Sequence, residues 1–440
     1  MGGFFEFDEF DTLINLKSGK TIDCETCGLY KTCKNPFMKY TGKGQKKIFV
    51  IGEAPGRTED EKNKQFVGKS GQFLRKYLSK VGIELEEDCW ISNAVRCRPP
   101  KNKTPSLIQI KSCRPKVLNE IKLLRPNVVV LVGKAAFDSI ISYKLGRRAL
   151  ASYSGWVGEI IPDYDLNAWI LPVYHPSYLM RNEKDTVLLE TWKKNLRRIL
   201  LYSDKQLPTL PDVEIYLIKT ELELTKQLQH LSKQRWFVFD IETTGLKPNF
   251  PDSKILSFSY SFDKNSAYAF HWNLLNPTNK QLLINILQNR KIKKMAHNLK
   301  FEHQWIKNKL GIETKGWIWD TQVAQHILDN KKPTGLKYLA YSKLGIYGWD
   351  TYVDNYIQAD GNKANKLEEI NIDLLLKYNA YDSWITLLLY FHQRNKLSNF
   401  EVNGFKLFLQ GTLTFSEIQE NGLKVDVERM NAVKKEIHKK

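Results

Sequence analysis

Short apolar runs of β type, separated by amphipathic stretches, constrain this chain more than any other feature. In the first half they are 48–51 (IFVI), 90–92 (WIS), 128–132 (VVVLV) and 170–173 (ILPV). Between them lie stretches of helical periodicity, including 71–81 and 107–124. Strand–helix alternation predicts a three-layer α/β/α unit: a parallel sheet with helices on both faces. In open sheets of this kind ligands sit outside the carboxyl ends of the strands. Distinctive residues follow three of the runs directly, so 52–56, Asn93 and His175 are expected to converge on one crevice.

A polar, proline-bearing stretch, 203–212 (SDKQLPTLPD), reads as a linker. A second α/β unit follows it. Strand-like runs at 236–241, 255–262 and 266–271 precede a helix near 280–287 and a strand near 294–296, and helices dominate from Phe301 onward. At 440 residues the chain exceeds one ordinary domain. The expected division is 1–202, the linker 203–212, 213–395, and a helical tail, 396–440.

Lys and Arg number 67 against 48 Asp and Glu, a net charge of +19 that suits a polyanionic partner, most commonly nucleic acid. The apolar content of 42% argues against wholesale disorder. The acidic start, MGGFFEFDEFDTL, lacks the apolar region of a signal peptide, and Glu6 breaks the lipidation pattern that Gly2 begins. No apolar run is long enough to span a bilayer, so no membrane association and a cytoplasmic location are expected. All six cysteines (Cys24, Cys27, Cys33, Cys89, Cys97 and Cys113) lie in the first third. In a reducing compartment that clustering points to a metal or iron–sulfur site rather than disulfides.

The clearest chemical signal is FDIETTG at 239–245. Asp240 and Glu242 are two apart on a strand, so both carboxylates face one side. Paired carboxylates suit Mg²⁺, a hard cation that takes oxygen ligands. A lone D-x-E is common among solvated acids, but HNLKFE (297–302) delivers a third carboxylate, Glu302, at a strand-to-helix junction. YNAYD (378–382) then places Tyr378 and Asp382 four apart, on one helix face.

This ordered set resembles the DEDDy exonucleases, in particular the proofreading domain of family A DNA polymerases, over roughly 214–395. WDTQVAQHILD (319–329) and GLKYLA (335–340) extend the likeness. The resemblance implies an RNase H-like fold with two Mg²⁺ or Mn²⁺ ions. Asp240 would bridge both; Glu242 and Asp382 would complete one site, with Glu302 as the fourth metal-binding carboxylate. Tyr378 would orient the attacking water, and Asn298 would either support the site or cap a helix. Two ions about 4 Å apart stabilise the attacking and leaving oxygens of an in-line displacement. Cleavage would be indifferent to base and would favour frayed single-stranded 3′ ends. The family usually has Asp where this chain has Glu302, an extra methylene to which metal geometry is sensitive.

In the first half, GEAPGRTED (52–60) follows a strand as a small-residue loop that a ligand can approach closely. Phe66, Asn93 and HPSYLMR (175–181) complete a set resembling the family 4 uracil-DNA glycosylases over roughly 20–200, and CRPPKNKTP (97–105) adds to it. The resemblance implies that Gly52 and Ala54 approach the base and Phe66 stacks on it. Asn93 would read its edge, His175 would stabilise the uracil anion, and Glu53 would act at the sugar or on water. Leu179 would insert into the DNA as the base is extruded. Cys24, Cys27, Cys97 and Cys113 have the spacing that family uses for a [4Fe–4S] cluster, although zinc also accepts four cysteines. Cys33 is expected as a spare surface thiol and Cys89 as a buried apolar residue. Arg57 and Thr58 stand where the family commonly has acidic residues, and Gln65 replaces a usual Pro. GKS at 68–70 is no phosphate loop, because Asn63 sits where the first glycine is required.

This order of domains resembles the front of certain bacteriophage family A DNA polymerases, and IQENGLKVDVERMNAV (418–433) looks like the opening of the polymerase domain. The expected activity is a 3′→5′ proofreading exonuclease fused to a uracil-DNA glycosylase-like domain. Its partners would be single-stranded 3′ ends, primer–template DNA and a polymerase core on the same or another chain, in the host cytoplasm. The alternative is an active exonuclease beside a catalytically silent glycosylase fold that binds DNA or senses uracil.

Overall fold

A computed structural model describes residues 23–145, 151–250, 252–357 and 364–437. The acidic start of the chain and the last lysines of the tail lie outside these residues. The chain forms two compact units. The first extends to Pro211 and also takes in Lys331–Asp350; the second holds Asp212–Asn330 and the chain from Thr351 onward.

In the first unit a five-stranded sheet runs in the order β2-β1-β3-β5-β4. Its strands are β1 (Ile48–Gly52), β2 (Cys89–Asn93), β3 (Val128–Val132), β4 (Ile161–Asp163) and β5 (Ala168–Val173). All neighbours are parallel except β4 and β5. β1 and β3 are buried along their whole length, which is why their sequences are unbroken apolar runs rather than alternating ones. β4 was not evident in the sequence: it has three residues, and its Pro162 is tolerated only at an edge. From β1 the chain moves to one side for β2 and crosses to the other for β3. The topological switch therefore falls between β1 and β3, where such sheets open a crevice.

The Lys331–Asp350 segment packs its helix Leu336–Leu344 against β4. Trp156 is fully buried against the rings of Tyr338 and Tyr341. The Tyr338 hydroxyl donates to the Gly155 carbonyl at 2.7 Å, and that of Tyr341 to Asp163 at 3.1 Å. Lys343 pairs with Glu159.

The second unit has a six-stranded mixed sheet in the order β11-β10-β7-β8-β9-β6. The strands are β6 (Glu214–Ile218), β7 (Trp236–Thr243), β8 (Ile255–Asp263), β9 (Ser266–His271), β10 (Lys293–Ala296) and β11 (Trp317–Asp320). The long helix Ile372–Gln393 packs across β7, β8 and β9. Both units are α/β, as strand–helix alternation predicts. β6 and β11 are additions: β6 is an edge strand with exposed Glu214 and Tyr216, too polar to register as an apolar run.

Gly345 ends the Leu336–Leu344 helix at φ +70°, and a Cβ there would lie 2.0 Å from the Pro162 carbonyl oxygen. Gly345→Ala is therefore expected to cost more than about 1 kcal/mol and to loosen Lys331–Asp350 from β4. Faster limited proteolysis within that segment would register it; a wild-type digestion pattern and unfolding midpoint would contradict it.

Candidate active sites

In the second unit β7 carries Asp240 and Glu242 on one face, and the Ile372–Gln393 helix lays Asp382 over them. One carboxylate oxygen from each of Asp240, Glu242 and Asp382 lies within 4.8 Å of the others. Tyr378, one turn before Asp382, is buried on the same helix. Glu302 comes from the first turn of the Leu299–Leu310 helix and is buried, and it feels the charges of Asp240 and Glu242. Its oxygens are not part of the three-residue cluster, and Glu302 Oε2 has no hydrogen-bond partner among the described residues. A buried carboxylate oxygen left unpaired beside other carboxylates is costly unless a proton or cation meets it.

The electrostatics agree. Burial, then the Asp382 charge, raises the Asp240 carboxyl well above the ordinary range, against the pull of a hydrogen bond from Asn379. Burial, then Asp240, does the same to Glu302. Two residues that motif spacing did not single out position this site. Asp320 accepts the backbone N–H groups of Asn298, Leu299, Gln322 and Val323, so one buried carboxylate ties the start of the Glu302 helix to that of Thr321–Leu328. Asn379 donates to Asp240 Oδ2 at 2.6 Å. Asn298 occupies the N-cap position at φ 65° but caps nothing with its side chain. His297 hydrogen-bonds Thr321 through Nδ1, and burial pushes its imidazole down to about 4.

In the first unit Gly52, Asn93 and Phe66 meet at the ends of β1 and β2. A Cβ on Gly52 would lie 2.4 Å from Asn93 Oδ1 and 2.7 Å from the Phe66 ring, so only glycine fits there. Phe66 sits at φ 53°, an uncommon conformation for a bulky residue, and the Arg75 guanidinium holds its carbonyl at 2.9 Å. Across the switch point, Gly133 abuts His175. Burial and the charge of Arg181 push the His175 imidazole down to about 4, so it is neutral near pH 7. Glu53 is partly buried, and burial raises its carboxyl. Tyr153 lies close enough to feel the Glu53 charge and donates to the Val173 carbonyl at 2.7 Å; nothing in its sequence context marked it. Glu59 accepts the Gly68 N–H at 2.7 Å and braces the loop.

Two expectations need correction. Leu179 is only 2% exposed and packs in the core of the first unit, so it is not presented for insertion into DNA; its neighbour Tyr178 is 40% exposed. The short helix Pro176–Arg181 turns Leu179 inward, an orientation that the residues of HPSYLMR do not reveal by themselves. Cys33 is not a detached surface thiol: it is partly buried against Cys97. The departures from the glycosylase pattern also have local partners. Arg57 pairs with Glu61 at 2.8 Å on an exposed helix. Gln65 is buried and bridges to Thr41 and the Lys39 carbonyl, contacts that a proline could not make.

The uracil DNA glycosylase superfamily matches residues 38–197 and a 3′-5′ exonuclease family of the DNA polymerase A kind matches residues 215–398. The type-4 uracil-DNA glycosylase of Archaeoglobus fulgidus is 30% identical over 196 residues, 43% of this chain and 94% of that protein. The chain joins a type-4-like uracil-DNA glycosylase superfamily domain to a 3′-5′ exonuclease domain. The DNA polymerase of Bacillus phage SP01 is 23% identical over 435 residues, 90% of this chain but 45% of that polymerase. The chain thus spans less than half of that relative. DNA polymerase I of Borreliella burgdorferi is 26% identical over 232 residues, 49% of this chain and 24% of that protein.

In the glycosylase-like domain the cysteines form a nest. Cys113 feels Cys27 and Cys24, and Cys97 feels Cys33 and Cys113. Burial pushes the Cys97 thiol up to about 12. A cation and an amide donor already face the sulfurs: Lys116 Nζ lies 2.7 Å from Cys24 Sγ, and the Phe37 N–H donates to Cys97 Sγ at 3.4 Å. Cys97 and Cys113 are buried and Cys24 and Cys27 half-buried, and sulfurs faced by such donors fit an anionic thiolate-ligated centre. Cys89 stands apart as a buried apolar residue. Ala54 packs against this nest. Among the described residues no helix is long and apolar enough to cross a membrane.

Asp240 and Glu302 fix the sign of a pH effect on the exonuclease domain. Without metal, both hold their protons to higher pH when folded than when unfolded. Through that window the folded state binds more protons, so stability falls as pH rises from the ordinary carboxylate range. In EDTA the thermal midpoint should drop more between about pH 5 and about pH 8 than that of Asp240→Asn. Mg²⁺ should raise the wild-type midpoint more at the upper pH. Identical pH profiles for the two proteins would refute this.

Proposed function

We propose that the exonuclease domain hydrolyses DNA from 3′ ends by two-metal chemistry, and that the glycosylase-like domain receives an extruded uracil. The observation that carries the first part is the meeting of Asp240, Glu242 and Asp382 over one face of β7, with Glu302 buried beside them. Asp240, Glu242 and Asp382 hold the divalent ions, and Glu302, reaching in from the neighbouring helix, is the fourth acidic ligand. Bound there, Mg²⁺ or Mn²⁺ would stabilise charge on the attacking and leaving oxygens. Tyr378 orients the attacking water from the helix that bears Asp382. Nothing in this arrangement reads a base, so cleavage is indifferent to sequence and favours frayed single-stranded ends.

In the other domain Phe66 stacks on the base, Asn93 pairs with its edge and Gly52 lets both approach. Neutral His175 donates to the departing uracil, and Glu53 acts at the sugar. The cysteine nest holds a [4Fe–4S] cluster, with zinc as the alternative. The functional division follows 1–202, the linker, 213–395 and a tail from 396 that begins a polymerase domain, with Lys331–Asp350 lent from the third stretch to the first unit. Phe400, Leu407, Phe415 and Ile418 on the Asn399–Asn421 helix are exposed, which supports a polymerase core as the protein partner. Work at primer–template DNA in the cytoplasm completes the reading.

Asp240→Ala should abolish Mg²⁺-dependent 3′ trimming, by about a thousandfold or more, while leaving DNA binding intact. Persistent trimming would mean that the metal assignment is wrong. For the other domain, uracil-containing single-stranded DNA is incubated in EDTA and then treated with alkali. Breaks at uracil are expected. Their absence, with trimming retained, would leave the first domain a silent binding or sensing module.

A further inference from the structure

Asn379 lies between the tyrosine and aspartate of YNAYD, and motif spacing assigns it nothing. It is completely buried. Its Nδ2 donates to Asp240 Oδ2 at 2.6 Å, and its Oδ1 accepts the Ser257 hydroxyl at 3.0 Å. Its backbone carbonyl accepts the Ser259 hydroxyl at 2.8 Å. Ser257 and Ser259 stand on β8 directly opposite Glu242 and Asp240, so they share the face that bears the acidic cluster. Asn379 therefore ties three elements together: the long helix, β8 and β7.

Donor and acceptor logic fixes the direction of this amide. With a cation bound Asp240 is ionised and only accepts, so the group facing it is the NH₂, as Nδ2 stands here. The Ser257 hydroxyl, donating from the other side, holds the amide oxygen away from the carboxylate. One lone pair of Asp240 Oδ2 is thereby occupied. The other, and both on Oδ1, remain for cations. A short carboxylate without this anchor would rotate about its last bond, pushed by the charge of Asp382.

We propose that Asn379, anchored by Ser257 and Ser259, is a positioning residue that fixes the Asp240 carboxylate with its free lone pairs turned toward the site shared with Glu242 and Asp382. The proposal rests on the exonuclease reading above. Outer-shell donors of this kind typically alter metal affinity by about 10- to 100-fold when removed.

The test is Mn²⁺ binding to the full chain, followed by loss of the free-ion paramagnetic resonance signal, with Asp240→Ala as baseline. Asn379→Ala should weaken binding by about 10- to 100-fold. Its trimming should fall at low Mn²⁺ and recover as Mn²⁺ is raised, with KM for DNA unchanged. A folded Asn379→Ala that binds Mn²⁺ like wild type would overturn the proposal while leaving the exonuclease reading in place. If that variant does not fold, as judged by its melting transition, Ser257→Ala decides: a smaller weakening is expected, and wild-type affinity overturns. Wild-type protein with no more affinity than Asp240→Ala would bring down both this proposal and the reading beneath it.

Discussion

Carboxylates brought into contact repel, and the exonuclease domain is arranged to hold its acidic groups together regardless. Asp240 and Glu242 cannot separate, because both project from one face of β7. Asp382 cannot swing away, because its helix is buried across three strands of the sheet. Glu302 is kept close by Asp320, whose four amide hydrogen bonds tie two helix starts to the end of β11. Burial pushes the Asp320 carboxyl up, and those amide dipoles pull it down by less. The unpaired oxygen of Glu302 is the clearest sign that the metal-free fold is electrostatically unfinished.

The glycosylase-like domain solves a different problem. On the proposed reading its crevice brings backbone close to a flat ligand, and the switch between β1 and β3 opens the space for it. Gly52 keeps the floor low, and Phe66 accepts an unfavourable backbone conformation to face it. Strain of this sort persists where surrounding contacts over-determine it, here through Arg75 and through Gly71, whose missing Cβ leaves room for the Phe66 backbone.

Much of this was legible in the sequence because it is periodic or closely spaced. Buried parallel strands announce themselves as apolar runs, and D-x-E on a strand or Y-x-x-x-D on a helix fixes a shared face before any fold is known. What escaped depends on long-range contact. Asn379 acquires its part only when β7 and β8 are placed beneath it, and Asp320 only when two helices start beside it. Leu179 was misjudged because a six-residue helix decides which way it faces, and Cys33 because its neighbour Cys97 is distant in sequence. β4 and β6 are edge strands whose identity comes from pairing rather than composition.

The segment Lys331–Asp350 leaves the exonuclease half of the sequence and completes the glycosylase-like unit. The polypeptide consequently crosses between the units at 211–212, 330–331 and 350–351, not once. A protease nick in the proline-bearing linker would divide the chain in two, and only the packing of Lys331–Asp350 within the first unit would then hold the pieces together. A chain stopped at Pro211 is not the whole first domain: it would leave the face of Trp156 bare of the tyrosines that cover it.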